Sequence, residues 1–121
     1  MNEHRRQIRG KLYLTPSNGD LYTFLNQVVR LMEAHYSYFR MVWSNAYVQP
    51  YREEFDQYLA RLWNLDVTNV LILKVRGIGM ADDAHKATDA LNAIIASAAE
   101  QNGINVNGSV EFTAWEVMND D

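Results

Sequence analysis

Hydrophobic periodicity switches repeatedly along this chain, and that alternation constrains the fold more than any other feature. Ile8, Gly10, Leu12 and Leu14 alternate with Arg9, Lys11, Tyr13 and Thr15. A period of two predicts a strand with one buried and one solvated face. A breaker cluster, Pro16-Ser17-Asn18-Gly19-Asp20, follows, with Asp20 placed to cap a helix. Tyr22, Leu25, Val29 and Met32 then recur at spacings of three and four, which is one face of that helix.

Residues 36–48 admit two readings. Tyr36, Phe39, Trp43 and Ala46 continue the helical spacing, while the density of Tyr, Phe, Trp and Val favours a strand. The strand is preferred, with Phe39, Met41 and Trp43 inward and Tyr38, Arg40, Val42 and Ser44 outward. Pro50 suits the first turn of a further helix, with Tyr51, Phe55, Leu59 and Leu62 as its apolar stripe. Glu53, Glu54 and Asp56 fall in its opening turns, where the helix dipole favours negative charge.

Val70–Arg76 reads as a strand that ends at Gly77 and Gly79. Asp82 or Asp83 starts another helix, lined by Ala84, Ala87, Leu91, Ile94, Ile95 and Ala98, and Asn102-Gly103 ends it. Asn107-Gly108 reads as a turn before a last strand, Ser109–Met118, with Val110, Phe112 and Ala114 inward and Glu111, Thr113 and Trp115 outward. The expected fold is α+β: a two-layer sandwich of ferredoxin-like type, β-α-β-(α)-β-α-β, with an extra helix between halves. If 36–48 is helical, the order becomes β-α-α-β-α-β with a three-stranded sheet. A length of 121 residues, 48% of them hydrophobic, predicts a single domain over 1–121. Residues 1–6 and 119–121 are expected to be mobile ends.

Motifs exclude more than they identify. Without cysteine there is no disulfide, thiolate nucleophile or Cys-ligated metal. Walker A, Rossmann, His-Glu-x-x-His and Gly-x-Ser-x-Gly patterns are absent, so no cofactor and no metal are expected. Gly77-Ile78-Gly79 before a helix lacks the third glycine of a dinucleotide fingerprint, and Asp82 stands in its place. Asp82, His85 and Asp89 share a helix face, but a solvated helix start is the preferred reading over a metal site. His35, among Met32, Tyr36 and Tyr38, is the one catalytic candidate, as a general base; a packing role is preferred. The longest apolar run, Val70–Leu73, is far too short to span a membrane, and a cytoplasmic protein is expected.

Charge is unevenly placed. The net charge is −4, yet residues 1–11 hold Arg5, Arg6, Arg9 and Lys11 against Glu3, a net +3 on an otherwise acidic chain. The strand phases put Arg9, Lys11, Tyr13, Ile72, Lys74, Arg76 and Trp115 together on the outer sheet face as a candidate binding surface. Without a catalytic constellation, the expected function is a small non-enzymatic binding or regulatory module. It would act through a protein partner, a second copy included, in the manner of phage or mobile-element inhibitors. Nucleic-acid or nucleotide binding on that face is the second reading. It is weakened by the acidic body and by the lack of an aromatic residue in Val70–Arg76. A small enzyme of dimeric α/β-barrel type, using His35, is the third. Val110–Met118, with its acidic end, resembles the last strand of some anti-CRISPR proteins, and no site residue is carried over from so short a stretch.

Overall fold

The structure is a computed structural model, and it describes residues 3–16, 21–49 and 70–116. Six elements follow in order: β1 (His4–Pro16), α1 (Leu21–His35), β2 (Phe39–Gln49), β3 (Val70–Ala81), α2 (Ala84–Gln101) and β4 (Ile104–Glu116). The strands form one four-stranded antiparallel sheet in the order β2-β3-β1-β4. Each helix follows a strand and leads to one that is not its neighbour, so two β-α-β units interleave. Residues 39–49 are strand, which removes the three-stranded alternative: β-branched and aromatic side chains suit a pleated surface better than a helix. The extra helix expected after Pro50 lies outside the described residues.

Both helices pack on the same side of the sheet. Ile8, Leu12, Leu14, Phe39, Met41, Leu73, Val75, Val110 and Phe112 from the strands meet Phe24, Val28, Met32, Leu91 and Ile95 in one buried cluster. Each such side chain removed from water contributes about 1.5–3 kcal/mol before chain entropy is counted. In α1 the buried face is Phe24, Leu25, Val28 and Met32; Tyr22, expected on it, is 77% exposed. Asp83 caps α2, its Oδ1 accepting from His85 N at 2.9 Å and Lys86 N at 3.1 Å. The bond from the Lys86 amide is the leading cause that holds this carboxyl below its ordinary range.

Three boundaries differ from the sequence reading. β3 runs on to Ala81, because Gly77 and Gly79 mark close approaches and not breaks. A Cβ on Gly77 would lie 2.0 Å from the Arg40 carbonyl oxygen, and one on Gly79 would lie 2.6 Å from the Phe112 ring. Asn107-Gly108 sits inside β4, where Gly108 takes a φ of 91° that other residues rarely adopt. β1 begins at His4, inside the stretch 1–6 read from the sequence as an end.

Arg6 explains that last correction. Arg6 pairs with Glu116 and Ile8 with Phe112, so β4 carries extra residues there and its inside-outside alternation breaks. Phe112 and Thr113 are both buried, and Ala114, expected inward, is exposed. Arg6 is 7% exposed and donates to carbonyls of this stretch of β4 and of the end of β3. Its Nε donates to Ala81 O at 2.9 Å, its Nη2 to Asp82 O at 3.0 Å, and its Nη1 to Ala114 O at 2.7 Å and Thr113 O at 3.4 Å.

Candidate functional site

With both helices on one side of the sheet, the other side takes every second residue of each strand. β1 presents Arg9 and Lys11 there, because Ile8, Gly10 and Leu12 point to the core. β3 presents Lys74 and Arg76 for the same reason, since Leu73 and Val75 are buried. The β1–β3 register sets Arg9 directly opposite Arg76 and Lys11 directly opposite Lys74. From β4, Glu111 stands opposite Arg9 and Ser109 opposite Lys11. Two rows result: Glu111–Arg9–Arg76 and Ser109–Lys11–Lys74.

A groove of about 520 Å³ lies between the rows, with Gly10 and Val75 among its lining. Gly10 is required at this point. A Cβ there, on the core side of the strand, would fall 2.3 Å from the Ser109 carbonyl oxygen; residues 10 and 75 both point away from the groove, so its floor is backbone. Glu111 Oε1 reaches Arg9 Nε at 3.7 Å, with both side chains about half exposed, a geometry in which an ion pair adds little stability. Like charges directly opposite on a sheet repel. The two cation pairs stand side by side and give the groove a positive lining.

The other residues of the predicted surface fall differently. Tyr13 and Ile72 face each other in the next row and are buried, at 2% and 1% exposure, so they do not open onto the groove. Lys11 Nζ lies 5.5 Å from the centre of the Tyr13 ring, which helps to hold the ammonium in place. Trp115 belongs to β4, and its side chain lies outside those described. His35 is the exposed last residue of α1 and does not line the groove. His85 Nε2 sits 3.7 Å from Asp89 Oδ2 on the exposed start of α2. Among the described residues no three His, Asp or Glu side chains come together as a metal site.

One cationic feature escaped the sequence reading. The Arg5 and Arg40 guanidiniums each lie 5.7 Å from the Tyr38 ring centre, extending positive charge towards β2. Arg5 was missed because residues 1–6 were expected to be mobile.

No protein-family model matches the chain, and no curated protein matches it. Solved structures do. A hydantoinase/carbamoylase family amidase from Burkholderia ambifaria superposes with a TM-score of 0.52 at 10% identity, over 97% of this chain and 29% of that one. A second amidase of that description, from Burkholderia vietnamiensis, gives 0.49 at 13% identity over 89% of this chain and 27% of its own. A dinuclear metal binding peptidase from Bacillus subtilis gives 0.46 at 13% identity over 96% and 28%. The chain thus spans under a third of the solved chains it matches. This overturns the expectation of a non-enzymatic module acting by protein contact, of phage-inhibitor type: the fold it shares is found within hydrolases. Among the described residues no helix is long and apolar enough to cross a membrane.

Proposed function

We propose that this chain serves as a domain of an amidase-type hydrolase, and that its outer sheet face holds the carboxylate of an amide substrate. In this reading the strand order β2-β3-β1-β4 is that of a ferredoxin-like sandwich, whose face opposite the two described helices is turned to the ligand at the groove. The observation that carries the proposal is the pair of opposed cation rows over a bare backbone floor. Guanidinium groups grip carboxylates with two parallel hydrogen bonds, and Arg9 and Arg76 stand side by side to do so. The likeness to an amidase over nearly the whole chain supports the hydrolase context. Amidase chemistry acts on an amide bond, and amides of amino acids carry a carboxylate close to it.

Calorimetric titration with N-acetylalanine and with its neutral carboxamide tests this. The acid is expected to bind saturably, about tenfold more weakly in the Arg76→Gln variant and more weakly with added salt. The carboxamide is expected to give no saturable heat. Equal binding of the two, or no binding of the acid, contradicts the proposal.

A further inference from the structure

Two hollows meet beside Arg76. The groove described above is one. The other, of about 460 Å³, lies along β2 and the end of α1. Val29, Tyr36, Tyr38 and Val42 line it, beside the charged Glu33 and Arg40. Val42 stands directly opposite Arg76 in the β2–β3 register, so one strand spacing, about 4.8 Å, carries the sheet from the groove to the second hollow.

The phase of β2 fixes this arrangement. Phe39 and Met41 are buried in the core, so Tyr38, Arg40 and Val42 point to the sheet face that carries Arg76. Val42 is 66% exposed and Tyr38 36%. A lone exposed valine is ordinary. This one adjoins both an arginine and a hollow with aromatic walls. Ile78, two residues from Arg76 on the same face of β3, is partly exposed and adds to the apolar surface.

We infer that the second hollow is a side-chain subsite, and that the ligand is an amide of an amino acid with an aromatic side chain. This rests on the carboxylate reading above and adds the substrate class. Arg76 holds the carboxylate, while the side chain crosses Val42 and seats its ring against Tyr36 and Tyr38. Aromatic rings gain from offset or edge-on contact beyond the area they bury. Glu33 disfavours an acidic side chain there. Arg40 is already turned to the Tyr38 ring, 5.7 Å from its centre. A methyl group in place of the ring is too short to cross one strand spacing.

The test is calorimetric titration of the protein with N-acetylphenylalanine, its neutral carboxamide, N-acetylalanine and Nα-acetyllysine. N-acetylphenylalanine is expected to bind about tenfold more tightly than N-acetylalanine. Nα-acetyllysine, which Glu33 alone would attract, is expected to bind no better than N-acetylalanine. The carboxamide is expected to give no saturable heat. Val42→Ser, at an exposed position, is expected to bring the phenylalanine and alanine ligands within about twofold of each other, with the circular dichroism spectrum unchanged. If those two ligands bind the original protein equally well, or if Val42→Ser keeps the full preference, the aromatic inference fails and the carboxylate reading stands. If Nα-acetyllysine matches N-acetylphenylalanine, the hollow selects by charge and the inference fails. If the carboxamide binds as well as its acid, or no ligand binds, both readings fail.

Discussion

Arg6 buries a guanidinium at the end of the sheet and surrounds it with the carbonyls of Ala81, Asp82, Thr113 and Ala114. These come from the end of β3, the turn after it and the irregular part of β4, so one side chain ties three stretches of backbone together. Arg6→Met would keep most of the volume but strand those acceptors. Buried acceptors left unpaired make the loss about 3 kcal/mol in unfolding free energy. Urea denaturation checks this, and an unchanged midpoint contradicts the role given to Arg6. The residue's position near the chain start hid this role in the sequence. An arginine three residues into an alternating strand reads as solvated charge. The carbonyls it meets come from the end of β3 and from the displaced part of β4, and which of them lie within reach is set by strand register, not a local property. Arg9, Lys11, Lys74 and Arg76 were legible as one face because their placement needs only the period of two.

At the scale of elements, a helix covers one edge of the sheet. β4 is an edge strand, and α2 reaches over to bond its outward backbone. Asn92 Nδ2 donates to Val110 O at 2.8 Å, Val110 N donates to Asn92 Oδ1 at 3.1 Å, and Phe112 N donates to Thr88 Oγ1 at 2.9 Å. Thr88 and Asn92, four apart on the helix, thus stand where a neighbouring strand would pair. Asn92→Leu would leave both Val110 groups unpaired at a cost of about 1–3 kcal/mol. Amide exchange at Val110 is expected to quicken more than at Leu12 in the sheet interior; unchanged protection at Val110 contradicts this account of the edge. The apolar face of α2 was readable from spacing, but Asn92 was not, since its task depends on where β4 lies. Gly77 and Gly79 were misread for the same reason. A glycine signals either a break or a close approach, and only the neighbours Arg40 and Phe112 decide between them.

For the whole molecule, the net charge of −4 conceals an outer sheet face where six cations gather: Arg5, Arg9, Lys11, Arg40, Lys74 and Arg76. The likeness to an amidase lies in the fold, at 10% identity. Periodicity therefore revealed the layers, while the likeness to an amidase stayed illegible, because a run of strands and helices carries no sign of which proteins share it. The central claim is that this face, at the groove floored by Gly10 and Val75, is where a carboxylate ligand sits. Backbone amide chemical shifts recorded during titration with N-acetylalanine test it most directly. The account predicts saturable shifts centred on Gly10, Lys11, Lys74, Val75 and Ser109, with the helix amides of α1 and α2 unmoved. Saturable shifts confined to the helices, or none at all, would contradict it.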